Sequence, residues 1–220
     1  MTINTRSRTG RAGWTALLAI VLSTTGCLQP SLNPLFLPED AVFSEGLLGG
    51  WVCPGETWTF TRTSDPDRES HAVYDVSIRT EATTSALFAW LGRVDEALFV
   101  TFMLKSDGPI AHRFAARHVI PSYTFGRITI EPARVQLAML DSGWIDQAEA
   151  AGLLTIGVRR QEPRSDVLLI AGPAELRQFA RAYAGDAQVF GTRVELVRPD
   201  TPGSGSDSTA RPTGTCYSEQ

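Results

Sequence analysis

The sequence predicts a β-rich α+β domain, an antiparallel meander that closes or curls, followed by two late helices. Strand-like runs separated by turn residues occupy the chain from about residue 42 to residue 141, and helix signals follow only after that. About nine strands in sequence, with short gaps between them, are typical of an antiparallel sheet that closes on itself.

Each early strand is predicted from alternating side chains and from the turn residues around it. In His71–Arg79, for example, Tyr74 and Val76 share one face, and Pro121 and Pro132 interrupt the later runs. The predicted strands before the helices are Thr57–Arg62, His71–Arg79, Ser85–Leu91, Ala97–Leu104, Ala111–Ile120, Tyr123–Ile130 and Arg134–Leu140.

Two helices are predicted in the last third of the chain. Asp141 or Ser142 caps a short helix that runs to residue 151, and Gly152 stops it. Pro173 opens a second helix with apolar residues at helical spacing, and Gly185 follows its end. The remaining predicted strands are Leu153–Arg159, Asp166–Ala171 and Thr192–Arg198.

Residues 1–26 have the three parts of a secretory signal peptide, and we expect them to be cleaved. The first eleven residues contain arginines and no acidic residue, an apolar run follows at Ala12–Leu22, and Ser23–Gly26 are small. The apolar run is too short to cross a bilayer, which takes about 20 helical residues.

Thr24-Thr25-Gly26-Cys27 resembles the lipobox of bacterial lipoprotein signals. The resemblance implies that the Cys27 thiol receives a diacylglycerol, which attaches the chain to a membrane. Thr24 stands where Leu or Val is usual, and an ordinary secretory signal with an incidental cysteine is the alternative. Leu28 instead of Asp favours the outer membrane within the cell envelope, by resemblance to enterobacterial sorting.

Four segments follow from these patterns: a signal peptide (1–26), a lipidated cysteine with a tether (27–41), one β-rich domain (42–198) and a flexible tail (199–220). Three prolines in Leu28–Pro38 predict the tether. Removing the first 26 residues, with three arginines and no acid, changes the net charge from −4 to −7. No basic stripe indicates a nucleic-acid partner, and attachment to the membrane is expected through the lipid.

Cys53 and Cys216 remain once Cys27 is assigned to the lipid. In an oxidising compartment disulfides persist, so we expect these two to pair. The alternative is a buried, free Cys53 and an unpaired Cys216 in the tail.

Several stretches resemble a group of uncharacterised bacterial lipoproteins, over the chain from the lipobox to about Arg198. This resemblance supports the lipid anchor and implies no activity, and Cys53 and the Cys216 tail depart from it. The stretches are Cys27–Phe36, Leu47–Trp51, Glu56–Phe60, His118–Phe125 and Leu137–Trp144.

Gly49-Gly50-Trp51 is similar to the Gly-x-Trp at the first strand of lipocalins. The similarity implies a calycin-like barrel. In that family a late arginine covers the tryptophan, and Arg193 or Arg198 fits this role here.

No motif for catalysis, a metal or a cofactor is evident. The histidines His71, His112 and His118 have no metal-ligand spacing, and no nucleophile elbow or phosphate loop occurs. We therefore expect no catalytic residue, no metal site and no cofactor.

Aromatic residues of the meander are the remaining candidates for a binding site. Trp51, Trp58 and Trp90 line an apolar ligand pocket if the barrel is hollow, and otherwise they fill its core. Trp144 is either a core anchor or an exposed docking residue. Three hypotheses result: a lipid-anchored binder of an apolar small molecule, an interaction or scaffold protein of the envelope, and an undetected hydrolase.

Overall fold

Eight antiparallel strands close into a barrel. The computed structural model describes residues 28–65, 72–105, 121–161, 166–199 and 216–218. Its strands are β1 (Gly49–Cys53), β2 (Glu56–Arg62), β3 (Val73–Arg79), β4 (Thr84–Val94), β5 (Ala97–Leu104), β6 (Tyr123–Ile130), β7 (Arg134–Met139), β8 (Val158–Gln161), β9 (Asp166–Leu169), β10 (Thr192–Val197) and β11 (Tyr217–Ser218). Strands β1 to β7 pair in sequence, β7 pairs with β10, and β10 returns to β1 through Val52 and Val197. The predicted meander, its closure into a calycin-like barrel and the two late helices are confirmed.

Alternate residues of the strands fill the barrel interior. In β2, Trp58 and Phe60 are buried inside while the threonines between and beside them face outward, as the sequence alternation predicts. The buried interior cluster consists of Leu47, Trp51, Trp58, Phe60, Tyr74, Val76, Ala89, Leu91, Val100, Phe102, Ile128, Val135, Leu137, Met139, Val194, Leu196 and Cys216.

A second apolar core lies between the outer face of the barrel and the helices α1 (Ser142–Ala150) and α2 (Pro173–Tyr183). Phe99 of β5 packs edge-on against Phe190, with ring centroids 5.5 Å apart. Trp144 of α1 is half-buried and lies 6.1 Å from Phe179 and 5.3 Å from Tyr183, between ring centroids. Trp144 is therefore part of this core.

The helix boundaries follow the predicted caps. The Asp141 carboxylate accepts a hydrogen bond from the Trp144 N–H at 2.8 Å, and Gly152 has a φ of 67° just after α1. Pro173 is the first residue of α2, where its fixed φ suits the helix. Among the described residues, no helix is long and apolar enough to span a membrane.

The segment after Cys27 is part of the folded domain, which corrects the predicted tether at 27–41 and the predicted domain start at 42. Ser31 and Leu35 are completely buried, and Phe36 is 4% exposed. Ser31 forms β-bridges with Tyr123 and with Leu169. The prolines indicate an extended backbone, but extended backbone also lies along a sheet when its apolar side chains have a surface to cover.

The C-terminal residues that the structure describes are also fixed to the barrel. Cys53 and Cys216 form the disulfide that the cysteine count predicts, at a sequence separation of 163. β11 pairs with β10 next to this disulfide. The flexible tail predicted at 199–220 is therefore wrong for 216–218, because the disulfide holds these residues against the sheet. Residues 200–215 lie outside the described residues.

Two predicted strands do not appear in the structure as the sequence suggests: one is shorter, and the other lies outside the described residues. The strand predicted at Leu153–Arg159 begins only at Val158, and Leu153 is exposed, so apolar residues after the Gly152 turn do not enter the sheet. The strand predicted at 111–120 and the three histidines lie outside the described residues.

Candidate functional site

The two ends of the barrel differ. At one end, which we call the closed end, the 3-10 turn Glu45–Leu47 lies across the barrel and buries Leu47 completely. The other end we call the Leu28 end. There Leu28 bridges to Asp141, just beyond β7, and borders a small internal cavity beside Trp58 and Phe102.

Arg198 secures the closed end. Its guanidinium carbon lies 3.7 Å from the centroid of the Trp51 ring, and its nitrogens donate to the carbonyls of Leu48 (2.9 Å), Gly50 (3.3 Å) and Gly46 (3.2 Å). Of the two arginines that the sequence offers for this role, Arg198 covers Trp51. Arg198 comes directly after β10 and continues the set of alternate residues that face the barrel interior, whereas Arg193 belongs to the set that faces outward.

The three tryptophans proposed as pocket residues occupy different places. Trp51 is fully buried at the closed end, and its indole N–H donates to Leu47 O at 2.9 Å. Trp58 lies inside the barrel towards the Leu28 end. Trp90 is on the outer face, in the second core, where its N–H donates to Phe36 O at 2.8 Å. The structure thus brings Trp51 and Trp58 into one cluster and separates Trp90 from them.

The cavity beside Trp58 has a volume of about 70 Å³. Pockets for drug-sized molecules usually measure about 300–1,000 Å³. This cavity, bordered by described residues, therefore has room for only a few atoms. The lining consists of Leu28, Trp58, Ile78, Leu87, Phe102, Thr124, Leu137, Met139 and Val194.

A much larger groove, of about 1030 Å³, opens at the closed end between β5 and β6. The ladder between these strands ends at the pair Phe99–Arg127. Beyond it, β5 continues beside β4 and β6 continues beside β7, so the two strands separate. We call this space the β5–β6 groove. Its lining residues are Ser44, Gly46, Arg93, Glu96, Ala97, Leu98, Arg127, Ile128, Thr129, Ile130, Glu131 and Pro132.

One wall of the groove is a stretch of β6 that has no β-pairing partner on its β5 side among the described residues. Phe125 O accepts a hydrogen bond from Leu140 N, on the β7 side of β6. Alternate residues of a strand direct their backbone groups to the same neighbour, so Ile128 and Ile130 direct theirs towards β5. Since the β5–β6 ladder stops before Ile128, the groove borders a short free strand edge.

The lining of the groove combines apolar and charged side chains. Leu98 and Ile130 are half-buried in its floor, and Arg93 and Glu96 are exposed at its rim. The Glu131 carboxylate is held by Arg134 at 3.0 Å. An apolar floor with a charged rim is the usual composition of a surface that binds another protein.

Tyr74 holds Ser44, one of the residues that line the β5–β6 groove. Its hydroxyl accepts from Ser44 N–H at 2.6 Å and donates to Ser44 O at 3.0 Å. Phe43 stacks on the Tyr74 ring, with centroids 5.0 Å apart. Burial raises the pKa of the Tyr74 hydroxyl above 10.0, against smaller opposing effects of the Ser44 hydrogen bond and the Arg62 charge.

One group of metal-ligating residue types comes together in the described part of the chain: Cys53, Glu56 and Cys216. Both sulfurs are bonded to each other, so they offer no thiolate to a metal. The chemistry of this group is that of a structural disulfide.

Comparison with known proteins adds nothing to this geometry. No protein-family model, curated protein or solved structure matches the chain. The groove itself carries no sequence signal, because its walls come from the ends of two separate hairpins. Only the register between β5 and β6 shows that Leu98 and Ile130 share one space.

Proposed function

We propose that this protein is a lipid-anchored module of the bacterial cell envelope that binds a partner protein in the β5–β6 groove. The observation that carries the proposal is the contrast between a groove of about 1030 Å³ and an interior cavity of about 70 Å³. The open space of this barrel lies on its surface, where another chain has access. The interaction hypothesis is thus favoured over a carrier of apolar molecules.

The free edge of β6 indicates how a partner would bind. An extended segment that pairs with Ile128–Ile130 would continue the sheet where the β5–β6 ladder stops. Its side chains would alternate between the apolar floor, at Leu98, and the solvent. Arg93 and Glu96 at the rim would then select between partners by charge.

The proposed anchor places this groove away from the membrane. Cys27 directly precedes Leu28 in sequence, and Leu28 is fixed at the opposite end of the barrel. The eight residues of β5 correspond to about 26 Å of strand. A lipid on Cys27 would therefore hold the Leu28 end at the bilayer and point the groove outward.

Site-specific photo-crosslinking in cells tests the groove. A photoreactive residue replaces Arg93 at the groove or, as control, Arg79, which is also exposed and lies at the Leu28 end. We expect a discrete crosslinked product from position 93, none from position 79, and loss of the product when Leu98→Glu is added. Equal crosslinking from both positions, or none from either, would contradict partner binding in the groove.

The anchor is tested separately by fractionation of cells that express Cys27→Ser. We expect the variant to leave the membrane fraction and to lose labelling by a fatty acid. An unchanged distribution would refute the anchor but leave the crosslinking result standing. Native mass spectrometry of the same variant, if it showed a co-purifying lipid, would favour the apolar-ligand hypothesis instead.

A further inference from the structure

A small pocket of about 110 Å³ lies on the outer face of β6, β7 and β10. Unlike the barrel interior, it is lined mainly by polar and charged side chains. A water molecule occupies about 30 Å³ in the liquid. The pocket therefore has room for a chemical group about as large as three or four water molecules. The lining is Arg127, Thr129, Gln136, Ala138, Arg193, Val194 and Glu195.

The strand register brings two arginines to the pocket. Arg127 pairs with Ala138, and Ala138 pairs with Arg193, so the three residues form a row across the sheet. Neighbouring strands are about 4.8 Å apart, which puts the arginine Cα atoms about 10 Å apart. The methyl group of Ala138 between them leaves space into which both guanidinium groups can reach.

Neither arginine has a carboxylate partner in the described part of the chain. The Nε atom of Arg193 is buried and has no hydrogen-bond partner, which costs free energy. Arg127 donates through Nη1 to Ala184 O at 2.7 Å, a neutral acceptor.

The one acid in the lining, Glu195, contacts residues other than Arg127 and Arg193. The Glu195 carboxylate accepts from Gln136 Nε2 at 3.5 Å and lies 3.9 Å from Arg134. Arg134 is not part of the pocket. The positive charge of Arg127 and Arg193 is therefore not neutralised by a carboxylate within ion-pair distance among the described residues.

We propose that this pocket binds one oxyanion group, a phosphate or sulfate or a carboxylate, between Arg127 and Arg193. Guanidinium groups present pairs of parallel N–H donors that match two oxygens of such an anion. The bound anion would supply the missing acceptor for Arg193 Nε, and the Thr129 hydroxyl would add a further donor. The inference does not depend on the proposed lipid anchor or on the groove.

Titration of the chain purified as Cys27→Ser tests the proposal, with inorganic phosphate, sulfate and acetate as probes at low salt. Glycerol phosphate in a parallel titration distinguishes a free anion from a phosphate carried on a larger molecule. We expect Arg193→Gln to weaken the binding of the best probe at least tenfold, and Arg127→Gln to do the same. The matched control is Arg79→Gln, an exposed arginine at the end of β3 that is not in the lining.

The melting temperature gives an independent readout. Phosphate should raise it for the parent chain and for Arg79→Gln but not for Arg193→Gln. Without phosphate, Arg193→Gln should melt no lower than the parent, since it removes a buried donor that has no partner. Absence of binding up to about 10 mM of every probe, or equal binding by Arg193→Gln and Arg79→Gln, would overturn the proposal.

Discussion

At the scale of single residues, the contact between Arg198 and Trp51 joins the first strand of the barrel to the last. The guanidinium covers the indole ring and donates to three carbonyls around it. The alternation of side chains along the sequence is enough to choose between the two candidate arginines. Val194 and Leu196 face the barrel interior, and Arg198 continues on the same side. The resemblance to a barrel family alone does not make that choice.

Tyr74→Phe should lower the free energy of unfolding by about 1–2 kcal/mol at pH 7, because the Ser44 N–H loses its acceptor. The folded protein has a raised pKa at Tyr74, so it favours the neutral hydroxyl. The stability that this contributes is complete below pH 10.0 and is lost as the pH rises through the folded-state pKa.

Urea unfolding of both proteins between pH 7 and pH 11 measures this effect. The difference in unfolding free energy between the parent and Tyr74→Phe should shrink above pH 10.0. A constant difference across that range would show that Tyr74 does not titrate differently in the folded and unfolded states.

At the scale of elements, the segment Leu28–Ala41 shows where sequence reasoning stops. Its prolines correctly indicate extended backbone, yet the surfaces that it covers come from residues far along the chain, such as Trp90, Tyr123 and Leu169. The same limit applies to the β5–β6 groove. The hairpins on each side are predictable from their own residues, whereas the place where two hairpins separate depends on register between them.

Gly92→Ala should destabilise the protein by about 1–3 kcal/mol, because a Cβ at this position would overlap the Phe36 ring. Gly50→Ala is the control, since a Cβ there meets nothing within 4 Å. Thermal unfolding of both variants is the measurement, and Phe36→Leu added to Gly92→Ala should recover part of the loss. If the two glycine variants were equally stable, the packing of the N-terminal segment on β4 would be in question.

At the scale of the whole molecule, three kinds of contact close the barrel at the place where β1 meets β10, which we call the seam. The seam contains the β1–β10 pair, the Arg198 contacts and the Cys53–Cys216 disulfide beside β11. The pairing of the cysteines is predictable from their number once an oxidising compartment is expected. The short strand β11 is not predictable, because two residues carry no periodic signal and their pairing with β10 depends on a disulfide that is distant in sequence.

Replacing both Cys53 and Cys216 with serine should lower the free energy of unfolding by up to about 5 kcal/mol, as chain entropy gives for a loop of 163 residues. Urea unfolding with and without reductant measures it. Reductant should lower the stability of the parent towards that of the double variant and leave the variant unchanged. A parent whose stability does not respond to complete reduction would rule out this contribution.

If the chain is exported as the lipid-anchor proposal requires, the fixed position of Leu28 determines the order of events during export. Gln29 is buried, and its side chain donates to Val167 O at 2.7 Å, so in the finished fold the chain is held against the barrel two residues after Cys27. On the lipid-anchor proposal, acylation and cleavage therefore precede docking of this segment. Its docking surfaces include β9, which is synthesised more than 100 residues later, and under this proposal that delay would leave the N-terminal segment open to the modifying enzymes.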